Sequence, residues 1–218
     1  MVRYRTLFQS EVLQASRSFN GVCAVAAAAL ILMLGACVPA SGPDAEALLR
    51  AYETALARTA DTAVAFTPGS DRERQVLDRL AEYFSPLTAA SARSRTTSVY
   101  APTAWLFDNL AVVEGREAIE AYFVKATTEA EQLRVEFLQV ARADADYFIR
   151  WRMSIDAPGL DDAPIVSYGV TQFRFDAEGR VLIHRDFWDA STGLYEYLPG
   201  LGGWMQRLRT TLGAAPEA

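Results

Sequence analysis

Near the C-terminal end, two strand-like runs flank a four-residue turn. Residues 165–175 (Ile-Val-Ser-Tyr-Gly-Val-Thr-Gln-Phe-Arg-Phe) and 180–188 (Arg-Val-Leu-Ile-His-Arg-Asp-Phe-Trp) are separated by Asp176-Ala177-Glu178-Gly179. β-branched and aromatic residues favour extended backbone, and a short turn of this composition closes an antiparallel hairpin. Two further strand-like runs, 133–141 and 146–155, precede it, and 105–113 reads as one short strand or an interrupted pair. Helical patterning lies upstream. Asp44 can cap a helix over 45–59, in which Leu48, Tyr52, Ala55 and Leu56 recur at spacings of three and four. Ser70-Asp71-Arg72-Glu73 has the capping-box form and opens a helix carrying Leu77, Leu80, Ala81 and Phe84 inward, which Pro86 breaks. Residues 87–99 extend the helical region, and Gly115 leads a further helix striped by Ile119, Tyr122, Phe123 and Ala126. Helices first and antiparallel strands afterwards predict an α+β domain rather than a wound parallel sheet.

The first residues belong to a different regime. Arg3, Arg5 and Arg17 precede an apolar run over 22–34, too short for a bilayer span of about 20 residues. Leu34-Gly35-Ala36-Cys37 follows and resembles the bacterial lipobox. That resemblance implies a signal peptide over 1–36, cleavage before Cys37 and lipidation of that cysteine. The expected organisation is then a tether over 37–44, an N-terminal helix and loop over 45–69, the folded domain with a C-terminal helix over 70–212, and a tail over 213–218. The expected location is the bacterial cell envelope, anchored by lipid and facing the periplasm. Val38 follows Cys37 where some inner-membrane lipoproteins carry Asp, which favours the outer membrane.

Composition narrows the chemistry. The net charge is −6, with one lysine, Lys125, and no basic run, so a nucleic-acid partner is not expected. Cys23 and Cys37 are the only cysteines, and both lie in or at the end of the leader. The domain therefore has no thiol nucleophile or thiolate metal site, and a single histidine, His184, argues against a multi-histidine zinc centre. Neither a dinucleotide nor a phosphate-loop motif is present, and no cofactor or metal is expected.

Strand alternation selects the remaining candidates. Along 181–188, one face carries Leu182, His184, Asp186 and Trp188, and the other Val181, Ile183, Arg185 and Phe187. His184 and Asp186 thus form a possible acid/base pair. The competing reading is that they tie neighbouring strands together by hydrogen bonds. Asp108 is a second carboxylate, competing with a turn-capping role before Asn109. Trp105, Tyr122, Trp151, Met153, Tyr168 and Trp188 could wall an aromatic pocket for a small, mostly apolar molecule. Arg150 and Arg152 share a strand face with Phe148 and Ser154, with no Asp two residues away, and read as a solvent-facing or ion-paired arginine face. The C-terminal helix carries Trp204, Met205, Leu208 and Leu212 on one side and is expected to pack on the domain; a second membrane contact is the alternative.

The order of elements resembles the nuclear transport factor 2-like superfamily, which includes ketosteroid isomerases and SnoaL-like polyketide cyclases. The resemblance is carried by Val99-Tyr100-Ala101-Pro102 through Phe107-Asp108, by Glu114-Gly115-Arg116-Glu117-Ala118-Ile119 with Tyr122-Phe123, by Phe173-Arg174-Phe175-Asp176 with Gly179-Arg180-Val181, and by His184-Arg185-Asp186-Phe187-Trp188-Asp189. It implies a cone-shaped, curved mixed or antiparallel β-sheet with N-terminal helices packed on its concave face. It implies an acid/base Asp at Asp186, with Asp189 a weaker fit, and a proton-shuttling carboxylate at Asp108. The second, neutral carboxyl of steroid isomerases has no counterpart on 165–175. Three functions follow: a lipid-anchored domain that binds a small apolar molecule, a cofactor-free isomerase, cyclase or hydrolase using Asp186, His184 and Asp108, or a module that forms a homodimer through its sheet.

Overall fold

A computed structural model describes residues 45–128, 132–156, 164–198 and 200–213. Cys37, the leader and the tether lie outside the described residues. Helix α1 spans Ala45–Thr59, α2 Asp71–Phe84 and α3 Ala89–Val99. Strand β1 (Tyr100–Asp108) continues directly from α3 and turns into β2 (Ala111–Glu114). Then come α4 (Arg116–Ala126), β3 (Gln132–Ala143), β4 (Asp146–Asp156), β5 (Ile165–Phe175) and β6 (Val181–Trp188). A single-turn helix α5 (Ala190–Gly193), a 3₁₀ turn (Tyr195–Tyr197) and α6 (Gly202–Gly213) follow. Among the described residues, no helix is long and apolar enough to cross a membrane.

The strands form one curved mixed sheet in the order β2-β1-β6-β5-β4-β3, in which β1 and β6 run parallel and the other neighbours antiparallel. This is the α+β class expected from the sequence. The hairpin turn is closed by the Asp176 carboxylate, which accepts from the Arg180 backbone N–H at 2.7 Å. Gly179 takes φ +73°, and a Cβ there would meet Val76 of α2 at 2.4 Å, so the turn is seated against that helix.

Helix α2 begins as anticipated: the Ser70 hydroxyl accepts from the Glu73 N–H at 3.2 Å. The return bond goes one residue further back, from the Gly69 N–H to Glu73 at 2.6 Å. Glu73 is also buried against Arg142 and the Tyr147 hydroxyl, so it joins helix start to sheet. Helix α3 has a full reciprocal capping box between Thr88 and Ser91, at 3.1 and 2.9 Å.

The two faces of the sheet are covered differently. On one, Leu80, Tyr83 and Phe84 of α2, Ala92 and Val99 of α3, and Ile119 and Phe123 of α4 pack against Tyr147, Ile149, Phe173, Phe175 and Leu106. On the other, Tyr52, Ala55 and Leu56 of α1 pack against Trp105, Phe107 and Ile183. The first helix therefore takes the face opposite the other N-terminal helices. Arg174 holds its end there: the guanidinium pairs with Asp146 at 2.8 and 2.9 Å and donates to the Leu56 carbonyl at 3.2 Å. A cation at the carbonyl end of a helix offsets the helix dipole.

Helix α6 departs from expectation. Trp204, Leu208 and Leu212 are 59%, 39% and 78% exposed, so its apolar stripe does not pack on the described domain. The helix is held at its base, where Gly202 abuts the Glu196 carbonyl and Arg209 pairs with Glu196 at 3.0 Å.

Candidate functional site

The helix-covered face does not close completely. Between α2, α4 and the strands lies a cavity of about 340 Å³. Its walls are mainly apolar, drawn from Phe84, Phe123, Phe137, Trp151, Met153 and Phe173, with Leu110 and Leu194 contributed by connecting segments. Its acidic and basic side chains are Asp108, His184 and Asp186. A volume and lining of this kind suit a small ligand with few polar anchor points.

Asp186 is fixed by two residues. Its Oδ1 accepts from the Thr171 hydroxyl and from His184 Nε2 at 3.0 Å. Thr171 in turn accepts from the Trp151 indole N–H at 2.7 Å. His184 Nδ1 meets the Tyr100 hydroxyl at 2.7 Å. Burial pushes the Tyr100 phenol well above its ordinary value, with the charges of Tyr83 and Asp186 adding to the shift. The phenol thus remains an O–H donor. In the tautomer with its proton on Nε2, aimed at Asp186, Nδ1 accepts from that hydroxyl. The chain Tyr100–His184–Asp186 is oriented from the buried end toward the cavity.

Asp108 sits at the end of β1. Its Oδ1 accepts from the Trp188 indole N–H at 2.9 Å, and its Oδ2 accepts from the Tyr122 hydroxyl. Burial first, and then the Asp108 charge, raise the Tyr122 phenol, so it too stays protonated as a donor. The turn-capping alternative for Asp108 gives way to these two side-chain bonds.

The structure brings Asp108, Tyr122, Trp151, Met153, His184, Asp186 and Trp188 together around one cavity. It separates two residues from them. Trp105 lies on the opposite face, stacked on Phe107 at 5.9 Å with Arg58 over its ring. Tyr168 is 62% exposed and does not line the cavity. Both miss for the same physical reason: each is an odd number of residues from a cavity residue of its own strand, Asp108 or Thr171, and alternation sends it to the other side. Asp189 points elsewhere, capping α5 through Ser191 and Thr192; those hydrogen bonds hold its carboxyl below the usual carboxylate range. Arg150 and Arg152 lie on strand positions between Trp151 and its cavity-side neighbours, and neither lines the cavity.

Thr171 and Tyr100 are functional neighbours that sequence reasoning missed. Counting back from the Phe175–Val181 pair sets Thr171 opposite Arg185, but an irregularity between Arg174 and Phe175 shifts the register and sets it opposite Asp186. The same shift puts Val181 in the helix-side core with His184, whereas strict alternation had assigned it to the Ile183 face. Nothing local in the sequence signals the Tyr100–His184 bond, which joins residues 84 positions apart. Among the described residues, no three His, Cys, Asp or Glu side chains gather as metal ligands.

Helices over a curved mixed sheet, with an apolar cavity between them, give the cone-shaped α+β fold shared by nuclear transport factor 2-like proteins. Residues 80–184 match the model of the SnoaL-like domain family. Among solved structures, the chain is similar to a protein of ketosteroid isomerase-like fold from Catenulispora acidiphila in complex with trimethylamine, at 18% identity, 59% of this chain, 92% of that one and a TM-score of 0.48. A protein described as a SnoaL-like polyketide cyclase from Shewanella putrefaciens is similar at 17% identity over 56% and 93% of the two chains, TM-score 0.48. An LEH-like epoxide hydrolase from M. tuberculosis is similar at 13% identity over 69% and 100%, TM-score 0.47. No curated protein matches the chain.

Proposed function

We propose that the chain is a lipid-anchored envelope protein whose SnoaL-like domain binds a small, mostly apolar molecule. The observation that carries the reading is the cavity itself: about 340 Å³ of space among aromatic and aliphatic walls, with its polar groups confined to the Asp108 and Asp186 clusters. Apolar concave space favours ligands that leave water with their hydrocarbon surface, at roughly 25 cal/mol per Å² buried. Native mass spectrometry of the purified full-length chain tests this. A co-purified small molecule supports it; loss of the species on Phe173→Trp, which fills space in the wall, assigns it to the cavity. A chain that carries nothing and binds no small apolar compound overturns it.

The anchor rests on Leu34-Gly35-Ala36-Cys37. Cys37→Ser should abolish incorporation of labelled fatty acid, and unchanged labelling would remove the anchor from the proposal. Fractionation of labelled cells tests the outer-membrane assignment.

The oriented Tyr100–His184–Asp186 chain favours a second reading, acid/base catalysis with Asp186 as base, His184 as its partner and Asp108 assisting. In such a step Asp186 would accept a proton from substrate, and negative charge would develop on the substrate. The nearby Tyr122 hydroxyl and Trp188 N–H are both engaged by Asp108, which supports ranking binding ahead of enolate chemistry.

A further inference from the structure

We propose that the ligand of this cavity is a hydrophobic ammonium, a small organic amine whose N–H bonds are directed to Asp108 and Asp186 and whose apolar body fills the remaining space. The inference rests on the binding reading above and narrows it to a chemical class.

The argument comes from counting donors and acceptors. Trp151 N–H is engaged by Thr171, and the Thr171 hydroxyl by Asp186. His184 Nε2–H is engaged by Asp186, and His184 Nδ1 by Tyr100. Trp188 N–H and the Tyr122 hydroxyl are both engaged by Asp108. These side chains thus turn their N–H and O–H groups onto the two carboxylates, directly or through Thr171 and His184, and among the described residues no Lys or Arg lines the cavity. Acceptor capacity is what remains. A carboxylate offers about four lone-pair sites. Asp108 receives one side-chain donor on each oxygen, and the two side-chain donors to Asp186 both fall on Oδ1.

Ligand classes can be ranked against that inventory. An anion would meet two carboxylates with no cation to offset them. A pure hydrocarbon would displace water from carboxylate oxygens and leave them dry, at roughly 1–3 kcal/mol for each unsatisfied group. A neutral alcohol supplies one donor but no charge. An ammonium supplies several donors and the complementary charge, and charge-assisted hydrogen bonds are about twice as strong as neutral ones. Tyr122, Phe123, Trp151 and Trp188 add rings, whose quadrupoles attract a cation lying over a ring face. The net charge of −6 favours approach of cations rather than anions.

The test is calorimetric titration of the full-length chain at pH 7 with three compounds of similar size: 2-phenylethylamine, 2-phenylethanol and 3-phenylpropionate. The amine should bind at least about tenfold tighter than the alcohol, the size of one charge-assisted hydrogen bond, and the propionate should bind weakest. Asp186→Asn and Asp108→Asn should each remove most of the amine's advantage over the alcohol. The ranking on the unsubstituted chain stands even if a variant fails to fold. Equal binding of amine and alcohol, preference for the propionate, or an advantage untouched in both folded Asn variants overturns the inference and leaves the binding reading in place. Failure of all three compounds to bind overturns both.

Discussion

The two faces of the sheet use the same strands for opposite purposes. Along β6, His184 and Asp186 face an unfilled cavity, while Ile183, between them and the strand's start, is sealed beneath α1. On the cavity side, polar groups are ordered but space is left open. On the α1 side, Tyr52, Ala55 and Leu56 fill the space, the Arg185 guanidinium lies 3.9 Å from the Tyr52 ring centroid, and the Tyr52 hydroxyl donates to Gln172 at 2.5 Å. One face is organised for occupancy and the other for closure. The lesson is that polar residues alone do not mark a site; polar residues beside unfilled volume do.

Substitutions can sharpen or break that contrast. The largest effect is expected from Phe173→Ala, because this side chain is 1% exposed and contacts helices and neighbouring strands. It should cost about 3–5 kcal/mol in denaturant unfolding. Tyr52→Ala, on the closed face, should cost about 1–3 kcal/mol and leave cavity binding unchanged. A Tyr52 variant that abolished binding would show that the two faces are not independent.

Alkaline titration addresses the same contrast. Tyr83, Tyr100 and Tyr122, all on the cavity side, have phenols raised mainly by burial. A raised phenol keeps its proton in the folded chain while the unfolded chain loses it above about pH 10. Their contribution to stability is therefore intact below pH 10 and declines as pH rises above it. Urea midpoints measured at pH 9, 10 and 11 should fall progressively, and a Tyr83→Phe variant should show a shallower decline.

Aromatic substitutions should separate the faces by binding. Trp105→Phe is expected to leave 2-phenylethylamine affinity within about twofold, whereas Trp151→Phe, which loses the bond to Thr171, should weaken it about three- to tenfold. The smallest effect belongs to Asp189→Ala, which removes the α5 cap for about 0.5–1 kcal/mol and should alter neither face. Since its carboxyl is held low, that contribution is present above the ordinary carboxylate range and is lost as pH falls through the lowered value.

The fold was largely legible because it rests on local rules. The Ser70 cap, Gly115 and the turn at Asp176–Gly179 each set an element boundary within a few residues. Alternation also placed His184, Asp186 and Trp188 together, and Trp151 with Met153. Trp105 and Tyr168 lie away from the cavity because strand parity, not aromatic character, sets the side a residue takes. Thr171 depended on a register irregularity, and Tyr100 on tertiary packing of the α3–β1 junction against β6; neither is encoded in a short window. The exposed stripe of α6 could not be read from amphipathic spacing, because spacing says which side is apolar and not whether anything covers it.

His184 is the chain's only histidine, and both of its ring nitrogens are engaged at the cavity wall. A protein with one imidazole gives one set of imidazole nuclear magnetic resonances. Any molecule that competes for Asp186 or presses on the ring must move that set. The protein thus carries a built-in spectroscopic reporter: screening compounds against it needs neither site-specific labelling nor resonance assignment.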